Sequence, residues 1–138
     1  LPAEMDVIFQ EVDMEYKTGY ELATSLVMEI PDITAIAGTN DMVAIGIRDA
    51  LIDQHYRIPE DISVLGCDNL LFSGLRGINL TTVEHFTPKK GENACEILLS
   101  KIDERRQKRD KDSQGMIYHI EYEPRLILRG STSYPRCL

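Results

Sequence analysis

The sequence predicts an α/β fold built on a parallel, Rossmann-like sheet. Two short apolar runs, Thr34 to Ala37 and Ile62 to Leu65, flank a segment of helical periodicity. Short β-rich runs separated by a helix-length connection are typical of a βαβ unit, whose two strands run parallel. Asn40 follows the first run and Asp68 follows the second. Because ligands bind outside the carboxyl ends of parallel strands, we expect Asn40 and Asp68 to face one crevice.

Composition excludes several classes of function. The chain has 138 residues, of which 43% are hydrophobic and 28% charged, and its net charge is −8. This composition predicts one globular domain with a buried core. A surface this acidic repels a phosphate backbone, so we do not expect the chain to bind DNA by itself. No apolar run is long enough to span a membrane, and the N-terminus lacks the regions of a signal peptide.

Cysteine and histidine spacing predicts neither a metal site nor catalysis. The cysteines at positions 67, 95 and 137 form no Cys-x-x-Cys pair, which favours a reducing, cytoplasmic compartment. The histidines at positions 55, 85 and 119 lack metal-ligand spacing. The sequence has no glycine-rich phosphate loop and no nucleophile elbow. We therefore expect no metal, no cofactor and no enzymatic activity.

The first third of the chain alternates strand and helix. Val7 to Val12 alternates enough to predict a strand. Asp13 is placed to cap the following helix, whose apolar positions recur at helical spacing at Leu22, Ala23, Leu26, Val27 and Ile30. The strand from Ile33 to Ala37 is apolar throughout, as expected for a parallel strand covered on both faces.

The central helix is predicted to begin at Thr39 or Asn40 and to run to about His55. Its apolar stripe consists of Val43, Ile47, Ala50 and Leu51. Met42, Ile45 and Gly46 lie beside this stripe. This is more apolar surface than one face of a sheet requires. A deeply buried helix is the simplest interpretation.

The second half of the chain begins with an apolar loop. Leu70 to Leu75 marks either an exposed interface or a segment folded back onto the core. Thr87 as N-cap and Pro88 at the first helical position predict the start of a long helix. Met116 to Glu123 alternates like a strand, and a further strand follows from Arg125 to Arg129.

Several motifs stand in the order and spacing of a known family. The pattern T-A-I-x-x-x-N-D-x-x-A-x-G is followed by P-E-D-I-S-V-x-G-x-D and then by L-T-T-V. The sequence resembles the effector-binding core of the lactose/galactose repressor family of bacterial transcription regulators. The residues that carry the resemblance are Thr34 to Ile36, Asn40, Asp41, Ala44, Gly46, Pro59 to Val64, Gly66, Asp68, Leu80 to Val83, Pro124 to Leu126 and Arg129 to Thr132.

The resemblance implies a type I periplasmic-binding-protein-like fold of two lobes. Residues 1–138 are then expected to be a fragment of the effector-binding and dimerisation domain, mostly its second lobe. The helix at residues 88–110 is expected to pack on the first lobe, which this chain lacks. Operator DNA is expected to be contacted only through a helix-turn-helix domain that is also absent.

The function that the resemblance implies is the sensing of a small effector bound between two lobes, which modulates operator binding. The expected effectors are a sugar, a sugar derivative or a purine, with Asn40 and Asp68 as effector-binding residues. The expected homodimer interface comprises Ile45, Leu70, Leu71, Phe72 and Leu75. Some relatives respond instead to a phosphorylated carrier protein. The alternative function is that of an extracytoplasmic sugar-binding protein of a transport system, which shares the two-lobed architecture.

Both expected effector residues also have structural explanations. Asn40 is well placed to cap the central helix, a role compatible with ligand contact. Asp68 would also suit a turn after Gly66, but it stands where crevice ligands bind, and a charged acceptor forms strong hydrogen bonds there. The chain departs from the family at Cys67, where an aromatic residue is usual, and at Asn69, where a second acid is usual. Cys67 therefore predicts a roomier or differently lined site.

Overall fold

The computed structural model describes residues 7–11, 13–107 and 117–135, which form one four-stranded sheet with helices. In chain order the elements are α1 (Tyr16–Glu29), β1 (Ala35–Ala37), α2 (Asp41–Asp53), β2 (Ser63–Cys67), a 3-10 helix (Leu71–Gly74), β3 (Thr81–Glu84), α3 (Thr87–Gln107) and β4 (Arg125–Ile127). The strands lie in the order β1-β2-β3-β4. The first three run parallel, and β4 is antiparallel to β3. The predicted α/β class with a mainly parallel sheet is confirmed.

The predicted βαβ unit consists of β1, α2 and β2. Ala37, the last residue of β1, lies opposite Leu65. β2 continues beyond this point to Cys67, which pairs with Val83 of β3. The three parallel strands therefore end along one edge of the sheet, which we call the carboxyl edge.

Two glycines let α1 pack tightly on α2, which in turn packs on the sheet. A Cβ at Gly19 would lie 2.2 Å from the carbonyl oxygen of Val43, and one at Gly46 would lie 2.0 Å from that of Tyr16. Both distances are far shorter than van der Waals contact, so a side chain at either position would push the helices apart. The core lies between these helices and the sheet, and its fully buried side chains include Ile47, Leu51, Ile62, Val64 and Leu80.

The face of the sheet that points away from α2 is exposed at β1. Only Ile36 of this strand is buried, whereas Ala35 and Ala37 are exposed. The prediction that the strand is covered on both faces is therefore wrong for the residues described. α3 does not supply the second layer, because none of its described side chains is buried, and Leu98 and Leu99 are 60% and 62% exposed.

Three predictions at the ends of the chain are also wrong. Residues 7–11 form no strand, and Val12 lies outside the described residues. Residues 117–123 form none either, with Met116 outside the described part. The strand predicted from Arg125 to Arg129 is present as β4, although it ends at Ile127. Alternation in a sequence does not supply the neighbouring strand that a ladder needs. Asp13 does not cap α1, because that helix begins at Tyr16 and its N-cap, Glu15, makes no side-chain hydrogen bond.

The long helix α3 begins within one residue of its predicted start, the usual uncertainty of a helix boundary. Residues 108–110, the last of the predicted helix, lie outside the described residues. In the described part of the chain, no helix is both long and apolar enough to cross a membrane.

Candidate functional site

The candidate site lies at the carboxyl edge of the sheet, where the loops after β1 and β2 begin. The amide of Gly38 donates a hydrogen bond to the carbonyl oxygen of Leu65 over 2.8 Å, and the amide of Asp68 donates to that of Val83 over 2.9 Å. Each loop therefore starts beside the neighbouring strand. Asn40 and Asp68 both follow strands that end at this edge, as the sequence predicts.

Asn40 is the N-cap of α2, which confirms the structural explanation of this residue. Its Oδ1 accepts a hydrogen bond from the amide of Val43 over 2.8 Å, and its Nδ2 donates one to the carbonyl oxygen of Met14 over 3.2 Å. The first bond satisfies one of the free amides at the start of the helix. The second ties the segment before α1 to α2. Since an amide carries two N–H groups, one remains for another acceptor.

Asp68 presents a charged acceptor at the same edge. The residue is half-buried, and its carboxylate makes no hydrogen bond or ion pair with any other described residue. Its φ of 106° lies in a region that side chains rarely adopt, and Asn69 follows with a φ of 51°. Backbone strain of this kind costs about 1–3 kcal/mol per residue and clusters at functional sites. Asp68 therefore joins a free carboxylate to a strained bend.

The side chain of Asn69 holds this bend in place. Its Nδ2 donates to Oε2 of Glu84 over 2.7 Å, and its Oδ1 accepts from Nη2 of Arg129 over 2.6 Å. An amide can donate to the acid and accept from the base at once, which a carboxylate cannot. The departure from the family at Asn69 thus has a local reason, because a carboxylate at this position would repel Glu84.

Glu84 is held in its ionised form by its neighbours. The hydrogen bond from Asn69, and then the one from the amide of Phe86, lower the pKa of Glu84, and the positive charge of Arg125 acts in the same direction. These contacts outweigh desolvation, which raises the pKa of the carboxyl group. Ionised Glu84 is therefore part of the frame that supports the Asp68 bend.

Asp41 is a central residue of this edge to which the sequence analysis assigned no role beyond its place in the N-D motif. It is fully buried, and its Oδ2 accepts hydrogen bonds from the amide of Leu70 over 2.8 Å and the hydroxyl of Ser73 over 2.6 Å. Its Oδ1 accepts a third from the hydroxyl of Thr82 over 2.5 Å. Gly66 leaves the space for this carboxylate, since a Cβ there would lie 2.3 Å from Oδ1. An acid in the first turn of a helix is ordinarily explained by the helix dipole, so only the N-D motif signalled it.

Cys67 and His85 form a second polar contact at this edge, with 2.9 Å between Sγ and Nε2. Burial, followed by the negative charges of Asp68 and Asp41, raises the pKa of the Cys67 thiol. The thiol is therefore protonated at neutral pH and is a poor nucleophile. Among the described residues, no group of three or more histidine, cysteine or acidic side chains is arranged to hold a metal ion.

The predicted interface residues differ in exposure. Leu71 and Leu75 are 94% and 57% exposed, and we call these two exposed leucines of one loop the apolar patch. Leu70 and Phe72 are half-buried, and Phe72 packs against the core. Ile45 is only 7% exposed and belongs to the core itself, so a deeply buried helix accounts for it and little of its side chain remains for a partner.

A cavity of about 370 Å³ lies at the opposite end of the sheet, beside the loops that precede β2 and β3. Its lining includes Arg48, Arg57 and Arg76, of which the first two are ion-paired with Asp49 and Asp61. The cavity is remote from the carboxyl edge. In a two-lobed protein the ligand crevice is closed by the second lobe, so a single lobe presents that edge as an open surface.

The sequence matches the periplasmic binding protein-like domain over residues 4–132. It is 33% identical over 100 residues to an arabinose metabolism transcriptional repressor of Halalkalibacterium halodurans, which covers 72% of this chain and 26% of that protein. The fold is similar to that of a LacI-family transcriptional regulatory protein from Corynebacterium glutamicum, with a TM-score of 0.73 and 35% identity over 89% of this chain and 44% of that one. It is also similar to a LacI family regulator from Arthrobacter sp. FB24 in complex with lactose, with a TM-score of 0.70 and 26% identity over 88% and 43% of the two chains.

The sheet topology and the family match define this chain as a periplasmic-binding-protein-like domain. Within that class it belongs to the lactose/galactose repressor family of transcription regulators, as part of the effector-binding domain. The chain spans about a quarter of the repressor's length and less than half of either structure. These relatives are regulators of transcription rather than transport proteins or enzymes. They favour a transcription regulator over the alternative function, an extracytoplasmic sugar-binding protein of a transport system.

Proposed function

We propose that this chain is the ligand-sensing and dimerisation portion of a bacterial transcription regulator of the repressor type. It binds a small effector, a sugar or sugar derivative, at the carboxyl edge of its sheet. The observation that carries the proposal is the Asp68 carboxylate, which has no hydrogen-bonding partner among the described residues and stands on a strained bend at that edge. The similarity to a regulator in complex with lactose supports a sugar as the class of effector.

The chemistry of this edge suits a hydroxyl-rich ligand. A carboxylate accepts hydrogen bonds from sugar hydroxyls, and such charge-assisted bonds are roughly twice as strong as neutral ones. Asn40 contributes its remaining N–H to a ligand oxygen while it continues to cap α2. Cys67 replaces a bulky aromatic wall with a small thiol, which leaves room for a ligand larger than a single planar ring.

Effector binding acts on operator binding through the arrangement of two lobes. This chain supplies most of the second lobe, and α3, with Leu98 and Leu99 exposed, packs on the first. A ligand held between the lobes favours the closed arrangement in proportion to its greater affinity for it. In a homodimer, that change alters the spacing of the DNA-binding domains and hence the affinity for a palindromic operator. Such a regulator works in the cytoplasm, where its operator is.

The homodimer interface includes the apolar patch of Leu71 and Leu75. An exposed apolar patch on a loop at the surface is typical of a protein–protein contact. Leu70 and Phe72 are half-buried, and Phe72 packs against the core, which ties the segment that carries the patch to the core. The operator is contacted through another domain of the full protein, since the net charge of −8 on this chain opposes direct DNA binding.

A thermal-shift screen of the intact protein against sugars, sugar phosphates and purines tests this proposal. We expect a sugar-like compound to raise the melting temperature of the wild type but not of Asp68→Asn. The control is Asp32→Asn, because Asp32 is an exposed acid that precedes β1 at the opposite end of the sheet. If Asp68→Asn responds as the wild type does, Asp68 is not the effector residue. If no compound stabilises the wild type, the small-effector proposal is wrong and a phosphorylated carrier protein becomes the candidate regulator.

A further inference from the structure

We propose that Asp41 is a positioning residue that couples the Asp68 end of the site to the apolar patch of Leu71 and Leu75. The inference rests on the proposed function, which assigns a ligand to Asp68 and a second copy of the chain to the patch. Residues 68–75, the connecting segment, join the two. Asp68 stands at its start, Leu71 is its fourth residue and Leu75 is its last.

The two oxygens of Asp41 hold different parts of the molecule. Oδ2 holds the connecting segment, through the amide of Leu70 over 2.8 Å and the hydroxyl of Ser73 over 2.6 Å. Oδ1 holds β3, through the hydroxyl of Thr82 over 2.5 Å. The hydroxyl oxygen of Thr82 in turn accepts a hydrogen bond from the backbone amide of Asn69 over 3.3 Å. The carboxylate is therefore a bridge, with the strained bend on one side and the patch on the other.

The bond between Asp41 and Ser73 sets the direction in which the patch faces. Ser73 is fully buried and lies within the 3-10 helix Leu71–Gly74. Leu71 is 94% exposed and Leu75 is 57% exposed, so the patch flanks buried Ser73 and half-buried Phe72, which packs against the core. The carbonyl oxygen of Ser73 also accepts a hydrogen bond from the amide of Leu80 over 2.8 Å. Without the bond to Asp41, this short helix would lose the side-chain hydrogen bond that fixes Ser73 in the core.

The bridge is placed to respond to a ligand. Asp41 is the first residue of α2 and follows Asn40, whose side chain caps the same helix. A ligand that pulls on Asp68 or Asn40 displaces either the connecting segment or the start of α2, and Asp41 is bonded to both. A fully buried carboxylate cannot exchange its partners for water, so each of the three bonds breaks only at high cost.

Two substitutions, each of a residue that donates a hydrogen bond to Asp41, distinguish positioning of the patch from simple stabilisation of the fold. Ser73→Ala removes a bond to Oδ2, on the side of the patch, and Thr82→Val removes the bond to Oδ1 together with the contact to Asn69. We expect Ser73→Ala to weaken dimerisation of the intact protein about fivefold or more, measured by sedimentation equilibrium. We expect Thr82→Val to lower the melting temperature at least as much but to change the dimer dissociation constant by no more than about twofold. If Asp41 only stabilises the fold, the loss of dimer affinity will instead follow the loss of stability.

Leu71→Glu distinguishes failure of this inference from failure of the proposed function. If Leu71→Glu leaves the dissociation constant unchanged, or the wild type does not dimerise, the proposed interface is wrong. Amide hydrogen exchange of residues 70–75 then decides the role of Asp41. Faster exchange in Ser73→Ala than in Thr82→Val supports positioning of the segment. Equal exchange in the two variants overturns the inference, as does a dimer affinity that follows stability alone.

Discussion

Replacing Gly66 with alanine tests the packing around the buried carboxylate. A Cβ at this position would lie 2.3 Å from Oδ1 of Asp41, 2.8 Å from a methyl group of Leu80 and 3.3 Å from Cβ of Ala44. The last contact requires only a small shift. The first two contacts require Asp41 or Leu80 to move. Neither moves easily, because Leu80 is fully buried and Asp41 is held by three hydrogen bonds.

The expected loss of stability follows from these contacts. Forcing an extra carbon into a packed core costs about 1–3 kcal/mol. Moving Oδ1 of Asp41 also breaks its charge-assisted bond to Thr82, and hydrogen bonds to charged groups contribute about 1.5–3 kcal/mol. The two losses overlap, because a single displacement causes both, so we expect Gly66→Ala to cost about 3 kcal/mol. Backbone strain adds nothing, since none of the described glycines has a positive φ.

Urea unfolding of the wild type, Gly66→Ala and Gly77→Ala measures this loss. Gly77 is the control, because a Cβ there would meet no atom within 4 Å. We expect Gly77→Ala to change the free energy of unfolding by no more than about 0.5 kcal/mol, as is usual for surface substitutions. If the two variants are equally stable, the tight packing described between Gly66 and Asp41 is wrong.

Three further predictions concern single side chains of the site. Asn40→Ala should cost about 1 kcal/mol in urea unfolding, and Asn40→Asp less because it keeps the capping oxygen; equal losses would argue against the cap. The folded-state pKa of Glu84 is lowered, so its contribution is present above its ordinary value of 4.5 and is lost as the pH falls through the lowered pKa. Glu84→Gln should therefore flatten the decline of the melting temperature in acid, and an unchanged acid decline would contradict this. Because the pKa of the Cys67 thiol is raised, iodoacetamide should alkylate exposed Cys95 before Cys67 at neutral pH, as followed by mass spectrometry; equal rates would count against the protected thiol.

Local patterns in the sequence predicted the elements that carry the site. The apolar runs and the helical stripe located β1, α2 and β2, because the spacing of apolar residues follows directly from the geometry of each element. The cap at Asn40 and the position of Asp68 after β2 were predicted for the same reason. Each depends on residues only a few positions apart in the chain.

Contacts between distant parts of the chain were not predicted. Asp41 is bonded to Leu70, Ser73 and Thr82, which lie 29, 32 and 41 positions away. No local pattern reports such partners. The strand predicted at residues 7–12 failed for a related reason, since pairing depends on a neighbouring strand rather than on alternation. The exposed alanines of β1 show the same limit, because an apolar run does not reveal which of its faces is covered.

The response of operator binding to the effector tests the central claim most directly. The full-length wild type and Asp68→Asn are titrated against a fluorescent operator fragment, with and without the compound that stabilises the wild type. We predict that both proteins bind the operator with similar affinity when no effector is present. We predict that the compound changes the affinity of the wild type by about fivefold or more, the usual range of coupling between two sites, and leaves Asp68→Asn unchanged. An effector response that survives in Asp68→Asn would contradict the assignment of Asp68 as the ligand-binding residue of this lobe.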